Sequence, residues 1–383
     1  MNAEQSVSPD PSARWLRLSG LIRKEFLQIR RDPSSIAIAF LLPIVLLIIF
    51  GYGVSLDAKH ERVGLVAENP GPETADFFSG LQRSEYFQPV TFSDQRAAQK
   101  ALDRRQISAI VRLRSDFSRQ ALNGQSAPID VVVDGVDANT ARLVSGYLQG
   151  VWAGWLQRRV DERAGASTQA VLMQQRIWFN PAVRSRDYLV PGLIAVIMTL
   201  TGALLTAMVV AREWDRGTLE ALMATPVSVG EVLIGKLVPY YLLGMGGMAL
   251  SIGMAIFLFE VPLRGSLWVL FVTGSLFLLA ALGMGLLISI IAQNQFVAGQ
   301  VAIITTYLPA FILSGFIFDI DSMPVAVQSF TYLIAARYFV AILQTVFLAG
   351  DVWAVIVPNA LALALMALVF LALAARRMPR RLG

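Results

Sequence analysis

Six long apolar segments constrain the fold of this chain more than any other feature of its sequence. A helix needs about 20 apolar residues to cross the hydrocarbon core of a bilayer. The segments that meet this requirement are Ser35–Leu56, Tyr188–Ala211, Val232–Phe259, Ser266–Ala292, Val297–Phe318 and Val352–Ala374. We therefore predict an α-helical polytopic membrane protein with six transmembrane helices, the first at residues 34–56 and the others within residues 188–375. Only 15% of the 383 residues are charged, against roughly 25% in a soluble domain.

Basic residues lie before the first apolar segment, around the connection between the second and third, and at the end of the chain. They are Arg14, Arg17, Arg23, Lys24, Arg30, Arg31, Arg212, Arg216, Lys236, Arg376, Arg377, Arg380 and Arg381. With six spans, all of these clusters fall on one side, which the positive-inside rule makes cytoplasmic. We predict cytoplasmic termini, with a basic tail at residues 376–383. Because the basic residues flank apolar segments, the pI of about 9.6 indicates contact with the lipid bilayer and not with nucleic acid.

Composition argues against several kinds of chemistry. The sequence has no cysteine and a single histidine, His60, so disulfides and cysteine-ligated metals are excluded and a histidine-based metal site or catalytic triad is not expected. Charged residues are almost absent from the interior of the six segments, which argues against the proton relay of a secondary carrier. We predict no catalytic, cofactor-binding or metal-binding residue in this chain.

The connection at residues 57–187 is polar and predicts an extracytoplasmic α/β domain. ERVGLVAEN, VTF, ISAIVRL and PIDVVVDG are typical of strands, the last of a buried strand. ETADFFSGLQ, SDQRAAQKALDRR and SDFSRQALN are typical of helices, and this alternation favours a sheet covered by helices. A longer helix is expected from about Asn139 through Trp152 and Trp155. We interpret Asp134-Gly135 and Asp137 as a turn that ends a strand, in preference to a metal or phosphate loop.

The segment 319–351, between the fifth and sixth transmembrane helices, is semi-apolar. It predicts a short helix that begins near Ser322, followed by a re-entrant hairpin on the outer side. Irregular backbone at membrane depth is tolerated only where protein or a water-filled cavity shields it. Two interpretations stay open: an outer lid over a pathway, and an interfacial hairpin that only packs.

The linker REWDRGTLEALMATPVSVGE places charged residues between two membrane spans. Gly217 permits a left-handed turn at a helix end, and Thr218 is suited to cap a short helix at residues 217–226 whose apolar side includes Leu219 and Leu222. Ser228 with Glu231 forms the S-x-x-E pattern of a capping box that opens the third span. From these residues alone, an ordinary connector and a helix that transmits a push to both spans are both open.

The N-terminal segment, residues 1–33, predicts a cytoplasmic amphipathic helix. Its apolar residues recur at helical spacing and its basic residues occupy the other faces, which is typical of a helix in the membrane interface. The alternatives are a simple lipid anchor and a helix that also docks a cytoplasmic partner. The residues that we expect to serve this connecting helix are Trp15, Arg23, Lys24, Glu25, Phe26 and Arg30.

KEFLQIRRDP, WFNPAVRSRDYLVPG and VPGLIAVIMTLTGALLTAMVVAREWDRGTLEALMATPVS together resemble the ABC-2 type transporter permeases over nearly the whole chain. The likeness is greatest to bacterial multidrug-export permeases with a large periplasmic domain, although Trp214-Asp215-Arg216 stands where the family often has other charged residues. The resemblance implies the ABC-2, or type V exporter-like, fold in the bacterial inner membrane. It also implies that the short linker helix is the coupling helix that contacts a nucleotide-binding subunit. That role falls on Arg212, Glu213, Gly217, Thr218, Leu219, Glu220 and Leu222.

No G-x-x-x-x-G-K-[ST] pattern occurs in the sequence, so this chain has no Walker A phosphate cradle. ATP and magnesium are therefore expected on a cytoplasmic ABC ATPase subunit. The resemblance implies a dimer with a second permease copy or a paralogue, and the outer domain is a candidate for docking a periplasmic adaptor and an outer-membrane channel.

Polar residues on the spans are the candidates for a substrate path. They are Thr199, Thr206, Ser289, Asn294, Thr305, Thr306 and Ser314. Small and hydroxyl residues also serve to pack helices together, and that alternative applies to each of them. The function expected is export of an apolar or amphipathic compound, drug or lipid-like. The alternative is an ATPase-driven mechanotransmitter that acts on a periplasmic partner and translocates nothing.

Overall fold

The computed structural model describes residues 11–53, 61–84, 86–123, 129–134, 138–164, 185–218, 225 and 227–378. The described helices are, in chain order, α1 (Pro11–Arg31), α2 (Pro33–Gly53), α3 (Pro72–Gln82), α4 (Gln95–Asp103), α5 (Phe117–Leu122), α6 (Ala138–Ala164), α7 (Ser185–Asp215), α8 (Val229–Phe257), α9 (Leu267–Ala292), α10 (Gln295–Leu313), α11 (Val325–Thr331), α12 (Ala335–Leu348) and α13 (Trp353–Arg377). The strands are β1 (Glu61–Ala67), β2 (Phe87–Thr91), β3 (Ala109–Leu113) and β4 (Asp130–Val133). The chain divides into a membrane unit, residues 1–54 and 177–383, and an α/β unit, residues 55–176.

Within the described residues, six helices of the membrane unit are long and apolar enough to cross a bilayer: α2, α7, α8, α9, α10 and α13. The prediction of six transmembrane helices in a mainly helical protein is therefore confirmed. The helix α7 is the centre of this unit. In its most apolar 18-residue stretch 89% of the residues are buried, against 22% in the corresponding stretch of α2 and 17% in that of α13. The exposed apolar faces of the outer helices suit contact with lipid.

Small residues let the helices approach closely, as the sequence patterns GMGGM and GMG indicate. A Cβ atom on Gly247 of α8 would collide with the carbonyl oxygen of Ala39 in α2. This contact falls in Ala37–Leu41, a π-helical turn of α2. Between α7 and α9, a Cβ atom on Gly202 would lie 2.8 Å from the Cβ of Ala281. Backbone contact at these points fixes the spacing of the helices.

The segment predicted to form a re-entrant hairpin contains α11 and α12, which meet at an angle of 82°, the geometry of a broken span or of a re-entrant loop. The helix α12 is largely buried, and the ring of Phe339 stacks on that of Phe277 in α9 with centroids 4.2 Å apart. The short helix α11 instead exposes Val325 and Phe330. The second arm of the hairpin is thus part of the bundle core, and the predicted role as an outer lid stays a prediction.

The α/β unit has a four-stranded mixed sheet in the order β2-β1-β3-β4. The strands β2 and β3 run parallel to β1, whereas β4 runs antiparallel to β3. The core packs Phe77 of α3 against Phe117 of α5 and Trp155 of α6, and the Trp155 indole N–H donates to Asp76 Oδ2 at 2.8 Å. A compact aromatic core of this kind stabilises the unit by area burial and by the edge-to-face geometry.

One strand differs from its expected environment. PIDVVVDG predicts a buried strand, but Val131 and Val132 of β4 are 36% and 48% exposed. The reason is topology, because β4 lies at the edge of the sheet and a run of valines does not report strand order. The turn at Asp134, Gly135 and Asp137 lies partly outside the described residues, which contain no group of three or more metal-ligating side chains.

Candidate functional site

Three elements of the membrane unit meet at one end of the bundle: α1, the last turns of α7 and the first turns of α8. The helix α1 packs along α8, where a Cβ atom on Gly235 would lie 2.9 Å from the Cβ of Leu21. Asp32 ends this contact and opens α2, since its carboxylate accepts from the Ser34 backbone N–H at 3.2 Å. Pro33 follows at the first helical position, where its missing N–H has no cost. The sharp turn keeps α1 beside the bundle.

Four charged residues form a buried ion cluster between these elements, namely Lys24, Glu25, Glu213 and Lys236. Lys236 Nζ donates to Glu25 Oε1 at 2.9 Å and lies 2.7 Å from Glu213 Oε2. Lys24 Nζ donates to Glu213 Oε1 at 2.5 Å and to Glu25 Oε1 at 3.2 Å. The side chains of Lys236 and Glu25 are each 2% exposed. Two positive and two negative charges therefore balance, which is the condition for keeping ionised groups away from water.

Lys24 lies at the edge of the ion cluster, where its side chain is 46% exposed. Burial alone lowers the pKa of Lys24, but its hydrogen bonds and attraction to Glu213 and Glu25 raise the pKa above its ordinary value. Lys24 consequently keeps its positive charge throughout the physiological range. The glutamates thus hold Lys24 of α1 in its charged form.

Two further ion pairs link the same elements. Arg212 Nη1 of α7 donates to Asp32 Oδ2 at 2.6 Å. Burial raises the pKa of Asp32, but the hydrogen bonds from Ser34, Arg212 and Ser35 outweigh it and lower the pKa to about 2. Arg17 Nη2 of α1 donates to Glu231 Oε1 of α8 at 3.1 Å.

Glu231, which pairs with Arg17, also belongs to the predicted capping box. The Ser228 N–H donates to Glu231 Oε2 at 2.7 Å, and the Glu231 N–H donates to Ser228 Oγ at 3.3 Å. The capping box at the start of the third span is thus present as the sequence pattern indicates.

The candidate path residues fall into separate groups. Thr199, Thr305 and Thr306 line one small cavity of about 40 Å³, whose other walls come from α9, α13 and the bend between α11 and α12. Ser314 is buried at the end of α10, and its hydroxyl has no hydrogen-bond partner among the described residues. These four are the candidates that the structure places at a cavity or leaves with free hydrogen-bonding capacity.

The other three candidate path residues make structural contacts. Thr206 Oγ1 donates to Leu282 O at 2.8 Å, and Ser289 Oγ accepts from the Ala211 N–H at 2.8 Å, so both join α7 to α9. Asn294 caps α10 and donates to Asp215 Oδ1 at 3.4 Å, at the last residue of α7. The alternative of helix packing describes Thr206 and Ser289 in this structure.

Comparison with known proteins identifies the family. Residues 33–376 match the family described as ABC-2 family transporter protein. The chain belongs to the ABC-2 transporter family. It is 45% identical over 375 residues to the probable multidrug ABC transporter permease YbhS of Escherichia coli (strain K12), covering 97% of this chain and 99% of that protein. It is 28% identical over 333 residues to the probable multidrug ABC transporter permease YbhR of the same organism (87% and 90% covered), and 26% identical over 286 residues to its inner membrane transport permease YhhJ (74% and 75% covered).

The protein is therefore the membrane-spanning permease subunit of an ABC exporter, and the ATPase that drives it is a separate protein. The expected resemblance to ABC-2 permeases is confirmed. As an ABC-2 permease, the chain requires an ATPase partner for its activity.

The structure places four of the seven expected coupling residues of this permease. Arg212 and Glu213 are buried and point into the contacts with α1. Gly217 adopts the expected left-handed backbone, with φ of 66°. Thr218 Oγ1 donates back to Glu213 O at 3.3 Å. Leu219, Glu220 and Leu222 lie outside the described residues, so the coupling helix at residues 217–226 stays a prediction.

The residues that we expected to serve the connecting helix lie on two different faces of α1. Lys24 and Glu25 belong to the ion cluster. Trp15 and Phe26 are exposed large apolar side chains, and Arg23 and Arg30 are exposed beside them. This exposed face, with aromatic and basic side chains together, suits the membrane interface.

The ion pairs that join α1 and its turn to the membrane helices were not predicted from the sequence. In the sequence Lys236 served only as an orientation signal, yet it pairs with Glu25 of α1, and Asp32 pairs with Arg212 of α7. A signal was available, because Glu25 lies at helical spacing within the apolar stripe of Ile22 and Ile29. A carboxylate on the buried face of an amphipathic helix indicates a buried cation opposite it.

Proposed function

We propose that this permease exports apolar or amphipathic compounds and that movement of the ATPase reaches the membrane helices through the linker at residues 217–226 and the ion cluster beside it. The single observation that carries this proposal is the pairing of Lys236 with both Glu25 and Glu213. It joins the connecting helix to the two membrane helices that flank the linker. A displacement of the linker therefore moves α1, α7 and α8 together.

The free energy of these ion pairs supports the movement of α1, α7 and α8 as one rigid unit. Separating one member of a buried charge pair leaves the other charge uncompensated, at about 3–5 kcal/mol. The ion cluster has several such contacts across three helices. Sliding α1 past α8 would break them together, whereas tilting the three helices as one body keeps them all.

The class of cargo follows from the chemistry of the spans. In the described residues, the charged side chains of the six membrane helices lie within eight residues of a helix end, and α2, α9 and α10 carry none. No charged relay for an ion or proton is available in these segments. Apolar side chains with threonine and serine hydroxyls suit drug-like or lipid-like amphiphiles, in agreement with the names of YbhS and YbhR as probable multidrug permeases.

We infer the partner proteins and the membrane location of this chain from its membership of the ABC-2 family. The partner ATPase binds ATP and magnesium on the cytoplasmic side. A second copy or a paralogue completes the permease dimer, and the similarity of this chain to both YbhS and YbhR supports a heterodimer. We place the protein in the bacterial inner membrane with cytoplasmic termini and a periplasmic α/β unit, which is the surface for an adaptor and an outer-membrane channel.

Transport in proteoliposomes tests the proposal. The permease dimer and its ATPase are reconstituted, and ATP hydrolysis and ATP-dependent movement of an amphipathic dye are measured together. The variant Glu220→Arg reverses a charge in the linker, and like-charge contacts cost several kcal/mol, so transport is expected to fall by about tenfold or more while membrane insertion is kept. Glu260→Arg, a charge reversal on the exposed α8–α9 connection, is the matched control.

The results separate the functions considered. Normal dye transport by Glu220→Arg contradicts the role of the linker. ATP hydrolysis without dye movement in the unaltered complex supports the mechanotransmitter and contradicts export. Dye movement that survives depletion of ATP identifies a secondary carrier.

A further inference from the structure

The bend between α11 and α12 lies in the interior of the membrane unit, where residues 333–335 line the small cavity of about 40 Å³. We call it the threonine cavity after the path candidates that also line it, Thr199, Thr305 and Thr306. The other end of α12 meets the α8–α9 connection, where the Gly265 N–H donates to Val346 O at 2.8 Å. At 1.5 Å per residue the bend lies roughly 16 Å along α12 from that connection, half of the hydrocarbon thickness.

The threonine cavity is closed in this structure. Its volume of about 40 Å³ is far below the roughly 300 Å³ that a drug-sized compound needs. The walls from α7 and α9 are fixed to each other, because Thr206 Oγ1 donates to Leu282 O at 2.8 Å and Gly202 packs closely on Ala281. A compound of that size therefore enters only if another wall moves. The bend is such a wall, since the helix is already interrupted there.

Two side chains from the first turn of α12 reach back across the bend. Arg337 Nη1 donates to Thr331 Oγ1 and to Gln328 O, the latter at 3.5 Å, so the guanidinium binds the last turns of α11. Its Cζ lies 3.8 Å from the centroid of the Tyr332 ring, within the range of a cation–π contact. The Tyr338 hydroxyl donates to Tyr332 O at 2.9 Å. These contacts hold α11 and α12 at their angle.

The contacts of Arg337 also account for its charge. Carbonyl groups at the end of a helix have no intrahelical partner, and a basic side chain near them donates the missing hydrogen bonds. A charge in the middle of a membrane is costly unless polar groups surround it. The end of α11 therefore compensates the charge of Arg337, and Arg337 in turn fixes the end of α11.

We propose that the bend is a gate on the threonine cavity and that Arg337 is the positioning residue that holds this gate closed. Loss of its contacts with Thr331 and Gln328 lets residues 333–335 leave the cavity wall, and the cavity then opens beside the threonine hydroxyls. The gate rests on the proposed export function only for the compound that passes through it. The closing of the cavity by the bend does not depend on that function.

Cysteine labelling of the full chain tests the gate without the ATPase or a cargo. The sequence contains no cysteine, so a single introduced thiol is the only one that reacts. Thr306→Cys places it in the cavity wall at a position that is 4% exposed, and the purified protein in detergent is labelled with N-ethylmaleimide. Adding Arg337→Gln is expected to raise the labelling rate about tenfold, the effect of losing hydrogen bonds from a charged donor. Arg264→Gln, at an exposed arginine of the α8–α9 connection, is the matched control and is expected to leave the rate unchanged.

A second reporter separates a gate from a general loss of stability. Ser251→Cys lies on α8, is 1% exposed and does not line the threonine cavity. Arg337→Gln is expected to raise the labelling of Thr306→Cys and to leave that of Ser251→Cys unchanged. An equal increase at both cysteines assigns Arg337 to the stability of the fold, and an unchanged rate at Thr306→Cys shows that the bend does not close the cavity. Either result overturns the proposal.

Tyr338→Phe keeps the test available if Arg337→Gln does not fold. This variant removes one neutral hydrogen bond across the bend and is expected to raise the labelling of Thr306→Cys by about threefold. No increase in this variant counts against the gate.

Dye transport by the unaltered complex distinguishes failure of the gate from failure of the proposed function. Selective labelling of Thr306→Cys together with an absence of ATP-driven dye movement supports the gate and contradicts export. Normal dye movement together with unchanged labelling contradicts the gate and leaves export supported.

Discussion

Where α1 meets α7 and α8, buried lysines and glutamates pair across three helices; at the bend between α11 and α12, Arg337 rests on hydroxyl, carbonyl and aromatic groups. The first arrangement tolerates little relative movement, because each charge depends on a partner from another helix. The second keeps a charge whose neutral contacts come from its own hairpin. Ion pairs that join separate helices are thus concentrated where α1, α7 and α8 meet, whereas the contacts of Arg337 stay within α11, α12 and their connection.

The largest effect is expected from breaking the ion cluster. Lys236→Met leaves Glu25 and Glu213 buried beside a single lysine, which is 46% exposed, and it is expected to destabilise the protein by about 3–5 kcal/mol. Arg17→Gln removes a more exposed pair and should cost at most about 1 kcal/mol. Thermal midpoints of the two variants, measured by size-exclusion chromatography of heated detergent samples, check this order. Equal midpoints would mean that the cluster does not set the rigidity of this end.

An intermediate effect is expected in the middle of α8, where this helix touches α2. Gly247→Ala places a methyl group against the Ala39 carbonyl, and overpacking of this kind costs about 1–3 kcal/mol. Gly253→Ala, on the same helix with open space around it, is the control and should change stability by no more than about 1 kcal/mol. The same midpoint measurement distinguishes them. If both variants match the unaltered protein, the spacing of α2 and α8 is not fixed by this contact.

The smallest effect is expected from a change of pH between 5 and 8 on the ion pair of Asp32 with Arg212. The pKa of Asp32 is lowered from an ordinary value of 3.8 to about 2, so the stability it contributes is present above the ordinary value and is lost as pH falls through about 2. The pair with Arg212 should therefore contribute equally at pH 5 and pH 8. Asp32→Asn should lower the thermal midpoint by the same amount at both values, and a difference that grows between them would show that another group governs this contact.

Some features of the structure could be predicted from the sequence and others could not. The six spans, the capping box of Ser228 and Glu231 and the left-handed Gly217 all follow from local rules, since length, capping and backbone freedom act within a few residues. The exposure of β4 did not follow, because the order of strands in a sheet depends on distant segments. Thr206 and Ser289 were candidates for a path, yet they join α7 to α9, and no periodicity distinguishes a hydroxyl that packs from one that lines a cavity.

The sequence by itself determined the six candidate membrane spans, the basic residues that flank them and the resemblance to ABC-2 permeases, because hydrophobic length, charge position and short motifs are written along the chain. Only the tertiary structure decided that Glu25, Glu213 and Lys236 meet, and that Arg337 is left with neutral partners at a bend. The physical reason is that a buried charge is defined by the group opposite it. Such groups lie up to 211 positions apart in this protein and are brought together only by the packing of α1 against the bundle.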